Sequence, residues 1–355
     1  MYKTYQYRIK DSAQLSWLCK TAAKVNFVWN YCNETSNKAW RKNRKWLSGF
    51  DFNALIAGSS KELGLNSAIV QLVAHEHANK RNQFKKSQLR WRSAKRTLGW
   101  IPVDIRCFKL TNDTIVVSKR KLKFWKHREL EGKIKTASFT QNSKKQWFVN
   151  VTTEIADKSA LRTGNQIGVD LGLKDAAVCS DGTVYTHPKA TALYAEKLAK
   201  AQRAKKKKLV TSIHLKIKNV RKDFSHKTST SIVKSADTIF VGDVSSKAMI
   251  SRGNGFAKSA NDAAWGQLRT MLAYKAKQLG KVFQPVKEAW STITCSNCSA
   301  RSGPSGLSNL GVRSWVCDCC GTKHSRDVNA AINIRNFGIG LYSPIQGAPA
   351  FRHGE

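Results

Sequence analysis

Acidic side chains are scarce in this sequence, where 23 Asp and Glu face 62 Lys and Arg over 355 residues, a formal charge of +39. A folded chain with that imbalance repels itself unless a polyanion neutralises it, which excludes a near-neutral surface and points to nucleic acid as the partner. Long apolar runs are also missing. No stretch is long enough to span a bilayer, and the opening MYKTYQYRIK has no apolar segment of a signal peptide, so neither a membrane partner nor a secretory leader is expected. Nine cysteines is an odd number, so a complete disulfide framework is not expected either. A reducing, cytoplasmic compartment and metal ligation fit that cysteine usage better.

What is present is enough to fold. Hydrophobic residues make up 41% of the chain, and 14 Phe and 11 Trp can fill more than one core, so two or three domains are expected. Tyr2 to Ile9 alternates like a half-buried strand, and from about Ser12 the period becomes helical through Leu15, Leu18, Ala22, Val25 and Val28. Asn66-Ser67 opens a second helical stretch towards Trp91. After Trp100 come short β-rich runs, at Thr114 to Ser118, Leu122 to Trp125, Ile134 to Phe139 and Gln146 to Thr152. They suggest a small barrel that takes Tyr2 to Ile9 as one of its strands, with the helices inserted. The second half reads as an α/β layer. Strands are expected at Ile167 to Asp170, Ala176 to Cys179, Thr238 to Val241 and Lys281 to Val286, with helices over Ala190 to Val233, Trp265 to Leu279 and Val328 to Phe337.

Two constellations carry chemistry. Cys295-Ser-Asn-Cys298 and Cys317-Asp-Cys-Cys320-Gly321 are two knuckles whose spacing suits four thiolates around one structural Zn²⁺. Cys319 reads as a bystander, because Gly321 after Cys320 allows the tight knuckle turn. Among so few acids, Asp170, Asp243 and Glu288 all follow apolar strands, and Asp327 opens a helix. Carboxylates at strand ends and a helix start can converge on two Mg²⁺ ions for phosphodiester hydrolysis, although any one of them taken alone reads equally as a turn or cap residue. Lys205, Lys206, Lys207 and Lys208 form the densest basic run, suited to phosphate contact or to a solvated face. Arg41, Lys45 and Trp46, and likewise Lys85, Lys86 and Trp91, interleave cations with aromatics, a pattern that serves base stacking or a helix core equally well.

The order Gly168-Val-Asp170-Leu-Gly172, Ile239-Phe-Val-Gly-Asp243, Thr292-Ile-Thr-Cys295-Ser-Asn-Cys298, Trp315-Val-Cys317-Asp-Cys-Cys320-Gly321 and Asp327-Val-Asn-Ala-Ala-Ile-Asn333 resembles the transposon-encoded TnpB proteins, compact relatives of type V CRISPR effectors. The resemblance covers nearly the whole chain and is specific in the second half. It implies an RNA-guided DNA endonuclease with a multidomain α+β fold. Its parts would be a wedge β-barrel (1–10 and 95–160), a helical recognition lobe (11–94), an RNase H-like RuvC nuclease (161–290 and 326–340), a zinc ribbon (291–325) and a flexible tail (341–355). The implied partners are a guide RNA from the transposon end and double-stranded target DNA beside a short motif, in a prokaryotic cytoplasm at the nucleoid. Asp170 and Asp327 match the first and third nuclease motifs. The family's usual Glu before Asp243 is Gly242 here, and Glu288, just before the Thr-x-Thr-Cys knuckle as in some members, is the expected replacement. An uncompensated loss would leave an RNA-guided DNA-binding protein without nuclease activity. An actin-like ATPase kinase also carries an Ile-Gly-Val-Asp-Leu-Gly hairpin, but it would need a second Asp-x-Gly phosphate loop and a near-neutral surface.

Overall fold

Tyr5 and Tyr7 share one face of β1 (Tyr2–Arg8), and both are buried while their neighbours stay exposed. That alternation makes β1 a strand with one side on a core. In a computed structural model, residues 1–10, 13–157, 164–243, 263–306 and 308–341 are described, and the chain forms two compact units, Met1–Ala156 and Asp157–Glu355. The first unit continues with α1 (Gln14–Asn43), α2 (Gly49–Leu55), α3 (Ser59–Leu63) and α4 (Ser67–Phe84). Asn66 caps α4 by accepting a hydrogen bond from the Ala68 amide at 2.8 Å. Seven-strand β structure follows from β2 (Trp100–Val103), β3 (Phe108–Thr111), β4 (Thr114–Val117), β5 (Arg120–Lys123), β6 (Lys133–Gln141) and β7 (Trp147–Glu154), counted with β1. They form two sheets, β1-β7-β6-β2 and β3-β4-β5, joined by a single bridge between Ile9 and Phe124. β1 therefore does enter the β structure of residues 100–154, as a partner of β7.

The second unit contains β8 (Gln166–Asp170), β9 (Asp175–Cys179), β10 (Val184–Thr186), α5 (Ala190–Leu193), α6 (Ala195–Arg203), α7 (Lys207–Ser235), β11 (Thr238–Gly242), α8 (Trp265–Gln278), β12 (Val282–Val286), β13 (Ser314–Val316), β14 (Lys323–Ser325) and α9 (Arg326–Gly338). The sequence reads as one helical region over Ala190 to Val233, but the structure breaks it between α6 and α7, where Lys205 adopts a left-handed φ of 50°. Burial of Ala201, Ile213 and Ile217 favours folding α6 back on α7. The main sheet has the order β10-β9-β8-β11-β12, with β11 parallel to both neighbours and β9 antiparallel to β8 and β10. Pro285 lies in the edge strand β12, where a missing amide donor costs one ladder bond at most.

Strand alternation gives this sheet two different faces. Ile167, Val169, Ile239 and Val241 join Ile232, Val233, Leu268 and Leu272 in one core, so that face belongs to α7 and α8. Phe240, Val286 and Ile334 make a smaller core with α9 on the other face. Close approach there depends on glycine: a Cβ on Gly168 would collide with the Ala331 carbonyl, and one on Gly338 with the Phe240 ring. The tail after residue 341, expected to be poorly ordered, lies outside the described residues. Among the described residues no helix is long and apolar enough to cross a membrane.

Candidate active site and metal centre

The same alternation decides which acids can meet. Asp170 and Gly242 follow Val169 and Val241 on their strands, so both turn to the α9 face at adjacent strand ends. Glu288 lies two residues beyond Val286, the register partner of Gly242. Its carboxylate fills the space a side chain at 242 would need: a Cβ there would collide with Glu288 Oε2 and stand 3.2 Å from Ile334 Cδ1. Asp327 sits in the first turn of α9, the helix packed on β8. Asp243, one residue later than Gly242, is exposed and pairs with Arg269 of α8 at 2.7 Å, close enough for both to act on Glu288.

Electrostatics ties Asp170, Glu288 and Asp327 together. The Asp170 side chain keeps some solvent contact, yet the protein packed around it, then the Glu288 and Asp327 carboxylates, push its carboxyl up to about 8. Burial, then Asp243, raises Glu288 to about 6, against the opposing pull of Arg269. Asp327 is partly neutralised by Arg313, whose Nη1 lies 3.3 Å from Oδ2. These are all-oxygen donors held in a region that disfavours their own charge, a donor set that suits a hard divalent cation.

Cys295, Cys298, Cys317 and Cys320 bring four Sγ atoms within 4.8 Å of one another. Cys295 and Cys320 are 3.7 Å apart and Cys298 and Cys317 3.6 Å, close to the roughly 3.8 Å edge of a tetrahedron with 2.3 Å metal–sulfur bonds. Donors surround the sulfurs. Ser302 Oγ donates to Cys317 at 3.1 Å, His324 Nε2 lies 3.0 Å from Cys295, and the Thr322 hydroxyl, then its amide, holds the Cys320 thiol down at about 5. Cys319 is exposed and outside the cluster. Asn329 and Asn333, one turn apart on α9, each donate to the Ser291 and Thr294 carbonyls, and Asn329 Oδ1 accepts from the Ser296 amide. The helix that carries Asp327 therefore also carries the first knuckle. Sequence reasoning missed this role for the two asparagines, although their i, i+4 spacing after Asp327 was visible.

Residues 148–252 match the OrfB_IS605 model, described as a probable transposase, and residues 265–334 match the TNB domain of Cas12f1-like proteins. A putative RNA-guided DNA endonuclease of Streptomyces pristinaespiralis is 28% identical over 365 residues, spanning 95% of this chain and 89% of the relative. The putative RNA-guided DNA endonuclease InsQ of Escherichia coli K12 is 27% identical over 60% of this chain and 59% of its own. TnpB-like protein L79 of Acanthamoeba polyphaga mimivirus is 25% identical over 58% of this chain and 44% of its own. The chain is similar to TnpB-like proteins.

The basic residues expected to meet nucleic acid occupy separate places in this chain. Lys205 to Lys208 are exposed where α6 turns into α7. Arg41 is exposed in the last turn of α1, and Lys45 pairs with Asp51 at 3.4 Å. Trp46 is half-buried, edge-on to Trp40 and stacked on the Arg81 guanidinium at 4.4 Å, so its ring already has packing partners. Lys85 and Lys86 follow α4 fully exposed, and Trp91 is 53% exposed.

Proposed function

We propose that this chain is a transposon-encoded RNA-guided DNA endonuclease that cuts its target by metal-assisted phosphodiester hydrolysis, with Asp170, Glu288 and Asp327 as its carboxylates. The observation that carries the reading is the complementarity at Gly242: the side chain absent there leaves the volume that the Glu288 carboxylate fills, beside Asp170. The activity itself is inferred from the relatives' names and from a chain with 62 basic residues. In this reading residues 161–290 and 326–340 are the RuvC-like nuclease of RNase H-like fold, and 291–325 the zinc ribbon. The segments 1–10 and 95–160 are the wedge around a recognition lobe at 11–94.

Bound at the carboxylates, two Mg²⁺ ions would supply a water nucleophile at neutral pH and neutralise charge on the leaving oxygen. The residues prepare for that. Asp170 is fixed at the end of a central strand, Glu288 reaches in from the edge strand, and Asp327 is carried on α9. Arg269 pairs with Asp243, and Glu288 is the acid whose carboxylate fills the empty position at 242. Cys295, Cys298, Cys317 and Cys320 would hold Zn²⁺ and keep α9 and the knuckle in one body through Asn329 and Asn333. The guide RNA and double-stranded target DNA would supply the polyanion that the surface charge requires.

The test compares magnesium-dependent cleavage by the parent, Glu288→Gln and Asp243→Asn, with guide binding measured in each. Glu288→Gln is expected to bind guide normally and to lose cleavage, whereas Asp243→Asn keeps most of it. Cleavage by Glu288→Gln at the parent's rate with Asp243→Asn inert would overturn the assignment of Glu288. An inert parent that still binds guide and target would make the protein an RNA-guided binder.

A further inference from the structure

The segment after α4 builds a groove that the nuclease chemistry does not use. Two asparagines on successive turns of α1 hold it open. Asn33 accepts from the Leu89 amide and donates to its carbonyl, both at 2.8 Å, and Asn30 does the same for Arg92, at 2.8 and 2.7 Å. The Trp29 indole donates to the Arg90 carbonyl at 3.2 Å. Leu89 to Arg92 therefore run extended along α1, as if beside a neighbouring strand, and their side chains are set by that backbone.

The resulting groove encloses about 1260 Å³. Its floor is aromatic and cationic: Arg92 lies over Trp29 at 5.0 Å and over Trp100 at 5.2 Å. At its rim stand Phe84, 57% exposed, and Trp91, 53% exposed, with Lys86, Arg90 and Arg96 between and beyond them. The one carboxylate in the lining, Glu76, pairs with Lys80 at 3.7 Å. Exposed Phe and Trp side chains in a chain this basic are a liability unless something covers them.

We propose that this groove binds unpaired nucleotides of the resident guide RNA, with a base stacked on Trp91 and the flanking phosphates on Lys86 and Arg96. The proposal rests on the RNA-guided reading and adds to it a single-strand site in the first unit. A duplex is disfavoured as occupant, because its bases are stacked away and its phosphates need only surface cations, whereas unpaired bases stack on aromatic rings and guanidinium planes. RNA is favoured over target DNA because a resident partner is the one that covers the aromatic rim before any target arrives.

The experiment uses the full chain and three probes: a single-stranded uridine oligomer of about twenty nucleotides, an RNA duplex of equal length, and the corresponding thymidine DNA. Trp91→Ala should weaken single-stranded RNA binding by about 5- to 150-fold, the range for losing one stacked base, and leave the salt dependence unchanged. Trp91→Phe should restore most of that loss, duplex RNA should be bound as by the parent, and an unchanged melting temperature establishes that the exposed ring was not structural. The inference is overturned if Trp91→Ala stays within about twofold of the parent on single-stranded RNA, or if the duplex weakens equally. A loss larger for DNA than for RNA overturns the choice of RNA. A parent chain that binds none of the RNA probes would instead overturn the proposed function.

Discussion

The thiols and the carboxylates are both ligand sets, yet they are held in opposite ways. The four sulfurs converge within 4.8 Å, with Ser302, Thr322 and His324 around them, so their arrangement is complete in the protein alone. The carboxylates come from two strand ends and a helix start, and arginines stand beside them, Arg313 on Asp327 and Arg269 on the neighbouring Asp243. Thiols are neutral until they lose a proton and can be gathered without cost in charge. Ionised carboxylates repel one another, as the raised Asp170 shows, where Glu288 and Asp327 add to the effect of burial. The first cluster has the closed arrangement of a structural metal site, and in the proposed function the second would take exchangeable ions.

The largest expected effect breaks the first half of that contrast. Cys298→Ser should abolish metal retention and unfold residues 291–325, because metal binding in such ribbons contributes about 10–16 kcal/mol at neutral pH. Metal analysis and limited proteolysis check it, and Cys319→Ser should change neither. Zinc at full occupancy in Cys298→Ser would mean that His324, 3.0 Å from Cys295, takes over the fourth position.

Asp170→Asn tests the second half. It should lower cleavage by about a thousandfold, the scale seen when one preorganised polar group is removed, while the protein keeps its zinc and its RNA. Without divalent ions its melting temperature should exceed the parent's, since the substitution removes a charge that burial and two carboxylates disfavour. A lower melting temperature would show that Asp170 is a structural residue.

Gly242→Ala is a smaller perturbation of the same site. The added Cβ collides with the end of a flexible Glu288 side chain rather than with backbone, so the fold should survive and the carboxylate should move aside. Displacement of about 1 Å costs roughly a hundredfold in rate, and cleavage should fall by that order with RNA affinity unchanged. Parent-like cleavage would separate Gly242 from Glu288.

How much of this was legible follows from how local each feature is. The knuckles were legible because Cys-x-x-Cys and Gly321 define them within a few residues. Strand ends at Asp170, Gly242 and Val286 could be read from apolar runs, and the side each residue faces from alternation alone. The break at Lys205 was not legible, because it depends on α6 folding back on α7. Nor were Arg269 and Arg313, whose partners lie 26 and 14 positions away in the chain and meet them only in the packed fold. The clamp on Leu89 and Arg92 was hidden for the same reason: Asn30 and Asn33 look like ordinary helix polar residues until the extended segment lies beside them.

The smallest effect asks whether a buried charge in this chain always awaits a ligand. Arg81 is fully buried in α4, stacked on Trp46, bonded to Ser36 and to the Leu47 carbonyl, and its Nε has no partner; among the described residues no carboxylate pairs with it. Buried ion pairs can often be replaced by hydrophobic residues of similar volume with no loss or some gain in stability, and a guanidinium without a carboxylate lacks even the Coulombic gain of a pair. Arg81→Met should therefore leave the melting temperature unchanged or raise it by a few degrees, and RNA affinity should not move. A second readout comes from His77, one turn earlier, whose imidazole burial, then Arg81, holds down at about 4. A folded-state value below the ordinary 6.5 means stability is complete above 6.5 and is lost as pH falls towards 4, because the unfolded chain takes up the proton first. Removing Arg81 raises the folded-state value, so the variant should lose less stability across that window. A sharp fall in melting temperature at neutral pH would instead show that the guanidinium holds α1 and α4 together through Ser36 and Leu47. Burial of charge would then be a structural device in the first unit and a ligand site in the second.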